Sequence, residues 1–278
     1  MEQVKRRLEM GFLAPMRNPQ LREMYGKSLR GGLLLFGPPG CGKTFIARAT
    51  AGELGARFIV VGLNDVLDIY FGQSERNLHE LFETARRKAP CVLFLDEVDA
   101  IGQKRIHARN QPSWRAVVAQ LLNEMDSVSS DNEGLFILGA TNAPWDVDAA
   151  LRRPGRFDRT ILVLPPDKPA RQLILMYHLR TRPVDAGIDY GALADRTDGY
   201  SGADLAHACE AAAELALERS LATGIPRPIT AKELDRALRE VKPSTGSWFQ
   251  TARNFAMFAN EGGVYDDLLD YMRAHRIA

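Results

Sequence analysis

Cysteine is scarce in this sequence of 278 residues: Cys41, Cys91 and Cys209 are the only three. They are odd in number, far apart and free of any Cys-x-x-Cys spacing. That argues against a disulfide framework or a thiolate metal site and points to free thiols in a reducing compartment. Long hydrophobic runs are missing too. No stretch approaches the roughly 18 apolar residues that cross a bilayer. The start, Met1-Glu2-Gln3-Val4-Lys5-Arg6-Arg7, has no apolar stretch behind it, so no signal peptide is predicted. Neither sign of charge is in excess: 36 Lys and Arg face 35 Asp and Glu, a formal net charge of +1. Bulk electrostatics therefore give no support to a nucleic-acid partner, although a local basic patch stays open. There is no internal repeat and no low-complexity tract. His79-Glu80 is not followed by a second His at the fourth position, which excludes a His-Glu-x-x-His metalloprotease helix within this chain. What is present is 45% hydrophobic and 26% charged, the mix of a globular protein with a real core. The length suits one large domain or two ordinary ones. The expectation is a soluble, cytoplasmic protein.

Residues 1–25 carry apolar side chains at helical spacing (Val4, Leu8, Phe12, Leu13), broken near Pro15 and Pro19. Short apolar runs then appear over 33–36, 58–61, 91–95, 135–138 and 160–164. Their continuous rather than alternating character predicts strands covered on both faces, as in a parallel sheet. Helical patterns over 43–54, 74–88 and 113–126 lie between them, and strands alternating with helices predict an open α/β sheet. After Pro165-Pro166 the pattern changes to four helical segments, 169–181, 189–196, 202–221 and 230–241, the third with Ser201 as its N-cap. Lys242-Pro243-Ser244-Thr245-Gly246 is a break. Segments 247–260 and 264–276, separated by Gly262-Gly263, close the chain as two helices. The expected divisions are an α/β domain over 1–166, a helical domain over 167–243 and a helical extension over 244–278.

Gly37-Pro38-Pro39-Gly40-Cys41-Gly42-Lys43-Thr44 satisfies the phosphate-loop pattern Gly-x4-Gly-Lys-Ser/Thr. Glycines let the backbone wrap until successive N–H groups point at phosphates, and the helix that follows adds the positive end of its dipole. Lys43 is expected to neutralise the β- and γ-phosphates, and the Thr44 hydroxyl to ligate Mg²⁺. The predicted strand before the motif and the helix continuing through Phe45 supply the context the motif requires, so Gly37 to Phe45 is the expected nucleotide-binding run. The apolar run Cys91–Leu95 ends in Asp96-Glu97. In phosphate-loop NTPases such a strand end carries a Mg²⁺ ligand, which suits Asp96, and Glu97 would polarise the attacking water. Another apolar run, Leu135–Ala140, ends in Thr141-Asn142. Asn142 either meets the γ-phosphate or is an ordinary turn former. Arg152, Arg153, Arg156 and Arg159 crowd around Pro154-Gly155; they read either as a solvated surface or as arginine fingers. Tyr70-Phe71-Gly72 reads either as two rings entering the core or as an exposed loop that grips a polypeptide.

These segments, in this order and at these separations, resemble the AAA ATPase family over residues 1 to about 243. Gly37–Thr44 looks like its Walker A motif and Leu93–Asp99 like its Walker B motif. Thr141-Asn142 resembles the sensor-1 position, and Leu151–Arg159 resembles the second region of homology that separates AAA proteins proper from the wider AAA+ superfamily. The resemblance implies that Arg153 and Arg156 act in trans as fingers and that Tyr70-Phe71-Gly72 is a substrate-contacting pore loop, with Gln103–Asn110 near a second one. It also implies that Gly202 and Ala203, within Ser201-Gly202-Ala203-Asp204, contact nucleotide, and that His178 sits on the adenine side. The chain is similar to the meiotic group that includes katanin and spastin, and to Cdc48-type rings. Departures are Gln73, where these relatives usually have Glu, and Asp126-Ser127-Val128, which lacks the Asp-Gly-Phe intersubunit signalling motif of the membrane-protease branch. The region 247–278 has no assigned counterpart in the family, and Pro243-Ser244 only loosely resembles the linker before the last helix of the meiotic group. Family members also carry an Asp/Ile-x-Gly-Gly segment immediately before the helix that starts here at Met1. The expectation is therefore an excised cassette or the end of a longer protein with an N-terminal adaptor region.

The function implied is an ATPase that binds ATP, ADP and Mg²⁺. It is expected to assemble as a hexamer and to unfold, remodel or disassemble protein substrates through the central pore. Two alternatives are a nucleic-acid-directed AAA+ motor or clamp loader, and a nucleotide-dependent scaffold without turnover. The aromatic pore loop, the balanced charge and the Arg153/Arg156 pattern argue against the first. Glu97, Asn142 and the arginines argue against the second.

Overall fold

A computed structural model describes residues 18–25, 32–62, 66, 73–100, 112–126 and 132–277. Among these, the chain forms two compact units: residues 18–37 with 43–163, and residues 38–42 with 164–277.

The first unit opens with α1 (Pro19–Met24) and is built on five parallel strands: β1 (Gly32–Phe36), β2 (Arg57–Gly62), β3 (Cys91–Asp96), β4 (Leu135–Thr141) and β5 (Phe157–Leu162). Their order across the sheet is β2-β3-β4-β1-β5. Helices α2 (Lys43–Glu53), α3 (Gln73–Arg87) and α4 (Pro112–Met125) connect them. The continuous apolar runs become the three inner strands. Leu33, Leu34, Leu93, Leu95 and Leu138 are almost completely buried, so both faces of the sheet are covered there. Helix α3 buries Ser74, Leu78, Phe82 and Ala85, one stripe at helical spacing, against this sheet. Burying a Leu or Phe contributes about 1.5–3 kcal/mol. Phe157 seals the β1–β4 seam. A Cβ at Gly139 would lie 2.7 Å from its ring and one at Gly32 2.9 Å, so both positions need glycine.

The expectation that every strand is covered on both faces fails at one rim. Val60 of β2 is exposed and Phe58, Ile59 and Val61 are half-buried, whereas Ile161, Leu162 and Val163 of the expected run 160–164 are buried. Among the described residues β2 lies at a sheet edge with a neighbour on one side.

Strand order also locates the site. After β1 the chain passes over β4 and β3 to reach β2, whereas β5 lies on the other side of β1. Open α/β sheets bind ligands at the carboxyl ends of strands beside such a reversal. Register brings those ends level, with Phe36 opposite Thr141 and Leu95 opposite Gly139.

The second unit holds α5 (Lys168–Leu179), α6 (Tyr190–Asp195), α7 (Gly202–Thr223), α8 (Ala231–Glu240), α9 (Thr245–Phe258) and α10 (Asp266–Ala274). Asp167, Asp189, Ser201 and Thr230 cap the first four, and Gly224 at φ 66° ends α7. Leu175, Leu179, Leu205, Ala208, Leu234 and Ala237 form its core. The one β element described here is a parallel bridge, Val184 to Ile229. The resulting fold is an α/β phosphate-loop NTPase sheet followed by a helical lid.

Candidate functional site

The phosphate loop leaves β1 through Gly37. At φ 151° this residue adopts a conformation that side chains avoid, and an added Cβ would lie 2.1 Å from the Val163 carbonyl oxygen. The first turn of α2 then presents Lys43 and Thr44. Lys43 is buried, and its Nζ donates to Gly37 O at 2.9 Å and to Asn142 Oδ1 at 2.6 Å. Thr44 Oγ1 donates to Asp96 Oδ2 at 3.3 Å, while Asp96 Oδ1 accepts from the backbone N–H of Glu97 at 3.0 Å. Glu97 is exposed and left-handed at φ 55°, an unusual state for a residue with a side chain. Ammonium, hydroxyl, carboxylate and amide thus converge from α2, β3 and β4 at one end of the sheet. Phe45, one residue further along α2, is 69% exposed.

Pro38, Pro39, Gly40, Cys41 and Gly42 belong to the second unit, where Gly40 packs on the start of α7. Ala203 N donates to Gly40 O at 3.2 Å. A Cβ on Gly40 would come within 2.7 Å of the Ala203 Cβ, and one on Gly202 within 3.1 Å of Gly40 O. Ser201 caps α7 in a reciprocal box with Asp204. Asp204 Oδ2 accepts from Ser201 N at 2.8 Å, Ser244 N at 3.0 Å and Ser244 Oγ at 3.1 Å. Burial alone would raise its pKa, but these hydrogen bonds outweigh it and hold the carboxyl below the usual value. Thr245 Oγ1 donates to Gly199 O at 2.7 Å, a second tie between the cap of α7 and the start of α9.

Residues 33–164 match the family model for the ATPase family associated with various cellular activities (AAA), and residues 187–231 match the AAA+ lid domain. The curated "Protein SAV" of Sulfolobus acidocaldarius is 43% identical over 219 residues, which cover 79% of this chain and 28% of that protein. The chain belongs to the AAA ATPase family. Its phosphate-loop fold is that of a nucleotide-binding module.

Other site residues expected of an AAA protein are dispersed. Arg153 is exposed at the end of a short 3-10 turn, Ala149–Arg152. Arg156 is half-buried in cis contacts: Nη1 donates to Ala150 O and Nη2 to Asp126 Oδ2, each at 2.9 Å. A role in trans requires Arg156 to give these up. His178 is half-buried on α5, edge-on to Tyr177 at 5.4 Å between ring centroids. Burial, and then the cations Arg182 and Arg180, push its pKa below the usual 6.5 and favour neutral imidazole. Tyr70, Phe71 and Gly72 lie outside the described residues, as do positions 103–110.

Sequence reading passed over Asp99 and Thr141 as individual actors. Thr141 Oγ1 donates to Asp99 Oδ1 at 2.6 Å and accepts from Ala143 N at 2.9 Å. The available signal was an acid two residues after Glu97 and a hydroxyl residue directly before Asn142. It also missed Asp204 as the point that joins the α7 cap to Ser244.

Proposed function

We propose that this chain binds ATP with Mg²⁺ and hydrolyses it, as a subunit of a hexameric ring that unfolds, remodels or disassembles proteins. The observation that carries hydrolysis is the convergence of Lys43, Thr44, Asp96 and Asn142 beside the exposed Glu97. Lys43 gives its protons to two neutral oxygens, Gly37 O and Asn142 Oδ1. Anionic phosphate oxygens are stronger acceptors and can take their place. The Thr44 hydroxyl and the Asp96 carboxylate are hard oxygen ligands that suit Mg²⁺. Among the described residues no three His, Cys, Asp or Glu side chains gather as an all-protein metal cage. That fits an ion which keeps several waters and takes its remaining ligands from phosphate. Bound Mg²⁺ would neutralise charge developing on the phosphates. Glu97 accepts a proton from the attacking water, Asn142 orients the γ-phosphate end, and Arg153 and Arg156 supply positive charge to a neighbouring subunit's nucleotide. Gly202, Ala203 and His178 contact the nucleoside side.

In this reading residues 1–166 are the ATPase domain, 167–243 the lid and 244–278 a C-terminal extension. Buried, free Cys41, Cys91 and Cys209 support a reducing, cytoplasmic setting. Among the described residues no helix is long and apolar enough to cross a membrane. The chain spans 28% of its curated relative, so substrates and partners of any larger protein are part of the proposal. The test is phosphate release from ATP. Glu97→Gln should keep nucleotide binding and lower turnover by roughly 10²–10⁴-fold, the range for a general base. Lys43→Ala should lose binding. Turnover near the parent rate in Glu97→Gln would remove the water-activating assignment. Tyr70→Ala should leave turnover within about threefold of the parent and abolish unfolding of a protein substrate; unfolding at the parent rate would remove the pore-loop assignment.

A further inference from the structure

We infer that Asp99 and Thr141 are a positioning pair that aims Asn142, and with it the phosphate end of the site, during hydrolysis. The inference rests on the ATPase reading and adds two residues to it. Thr141 is the last residue of β4 and is 1% exposed, with its hydroxyl used twice. It donates to Asp99 Oδ1 at 2.6 Å, a charge-assisted bond. It also accepts from Ala143 N at 2.9 Å, which closes a side-chain turn around the intervening residue. That residue is Asn142, whose Oδ1 meets Lys43 Nζ at 2.6 Å. The direction of the Asn142 side chain is therefore set by the hydroxyl before it, and that hydroxyl is set by a carboxylate 42 positions away.

Asp99 also belongs to the turn that carries Glu97. Ala100 N donates to Glu97 O at 2.8 Å, and Val98 N donates across the strand ends to Ala140 O at 2.9 Å. The Asp99–Thr141 bond is thus a side-chain link between the Glu97 turn and the Asn142 turn, added to one backbone bond. A link of this kind acts on orientation. Small errors in placing a reacting group cost rate far more than they cost ground-state affinity.

The test is a mutant cycle on the full chain, with ATP turnover at saturating nucleotide and the affinity for a fluorescently labelled ATP measured in parallel. Thr141→Val and Asp99→Ala should each lower kcat by roughly tenfold and leave affinity within about threefold. Thr141→Ser restores the hydroxyl and should return kcat to within about twofold of the parent. In an Asn142→Ala background, adding Thr141→Val should change kcat by less than about twofold, because the residue it acts through is already gone. A merely structural role predicts a lower melting temperature with a full, additive effect in that background. Parent-like kcat in Thr141→Val and Asp99→Ala alongside a slow Asn142→Ala overturns the pair while leaving the ATPase reading intact, and so does full additivity. Parent-like turnover in Asn142→Ala removes its role and the inference together. No turnover by the unmodified chain removes the hydrolysis reading itself, and the inference with it. Should Thr141→Val fail to fold, Asp99→Ala carries the same comparison, since Asp99 is only partly buried.

Discussion

Glu97 holds a backbone conformation, φ 55°, that a glycine or asparagine would adopt more easily. Strain of this kind costs on the order of 1 kcal/mol or more and tends to persist where orientation matters. Glu97→Asn should therefore lose turnover yet melt no lower than the parent, with a gain on the order of 0.5–1 kcal/mol. A clear drop in melting temperature would show that the Glu97 side chain stabilises the fold. His178 adds a pH dependence. Its folded pKa lies below 6.5, so the unfolded chain takes up a proton first as pH falls. Stability is unaffected by His178 well above 6.5 and declines as pH drops from 6.5 toward the depressed folded value. His178→Gln should flatten that part of the melting-temperature profile, and an unchanged slope would assign the loss to other groups. At this scale Lys43 and Thr44 were legible from the phosphate-loop spacing and Asp96 from the apolar strand that it ends, whereas Asn142 read equally as a turn former. Asp99 and Thr141 were not legible, because a lone Asp and a lone Thr are ordinary turn residues. Only the β3–β4 register makes them neighbours.

Helices α3 and α4 are joined by a buried carboxylate. Glu124, 4% exposed, accepts from Arg86 Nη2 at 2.6 Å and Gln120 Nε2 at 2.7 Å, and pairs with His79 Nδ1 at 2.6 Å. Asn132 completes the clasp: it donates to Glu124 O at 2.9 Å and accepts from Arg86 Nε at 3.0 Å. Removing Glu124 takes away the buried partner of Arg86 and leaves it only the exposed Glu83. Glu124→Leu should cost about 3–5 kcal/mol, whereas Glu124→Leu with Arg86→Met should recover much of it. Chemical denaturation of the two variants measures this, and equal losses would place the cost in packing rather than charge. The apolar stripe of α3 was readable from spacing alone, but nothing in the sequence sets Glu124 apart from an ordinary solvated acid. Likewise 58–61 had the composition of an inner strand. Its half-exposure comes from the edge position of β2, which follows from strand order and not from any property of the run itself.

For the whole molecule, the order of Gly37–Thr44, Asp96-Glu97 and Thr141-Asn142 was legible, because each lies at the end of a strand that its composition announces. The assignment of Pro38–Gly42 to the helical unit was not, since it depends on contacts such as Ala203 N to Gly40 O across a long stretch of sequence. The arginine turn raises the remaining question of assembly. Arg156 is held within its own chain by Asp126 and Ala150 O, so in the proposed ring a subunit would offer its neighbour a guanidinium that is already engaged. Exchanging a half-exposed carboxylate for a neighbour's phosphate would trade one charge-assisted hydrogen bond for another. The exchange requires the neighbour to be present. Specific ATPase activity should accordingly rise with protein concentration, from a weak monomeric level at micromolar chain. In the proposed mechanism Arg156→Ala chains would keep an intact Glu97 but offer no finger, and Glu97→Gln chains would offer a finger but not activate water. Mixing the two should recover activity that neither shows alone, since an interface pairing an intact pocket with an intact arginine reappears. A specific activity that stays flat over about a hundredfold dilution, with no recovery on mixing, would mean that one chain completes its own site. Arg156 would then be a structural partner of Asp126.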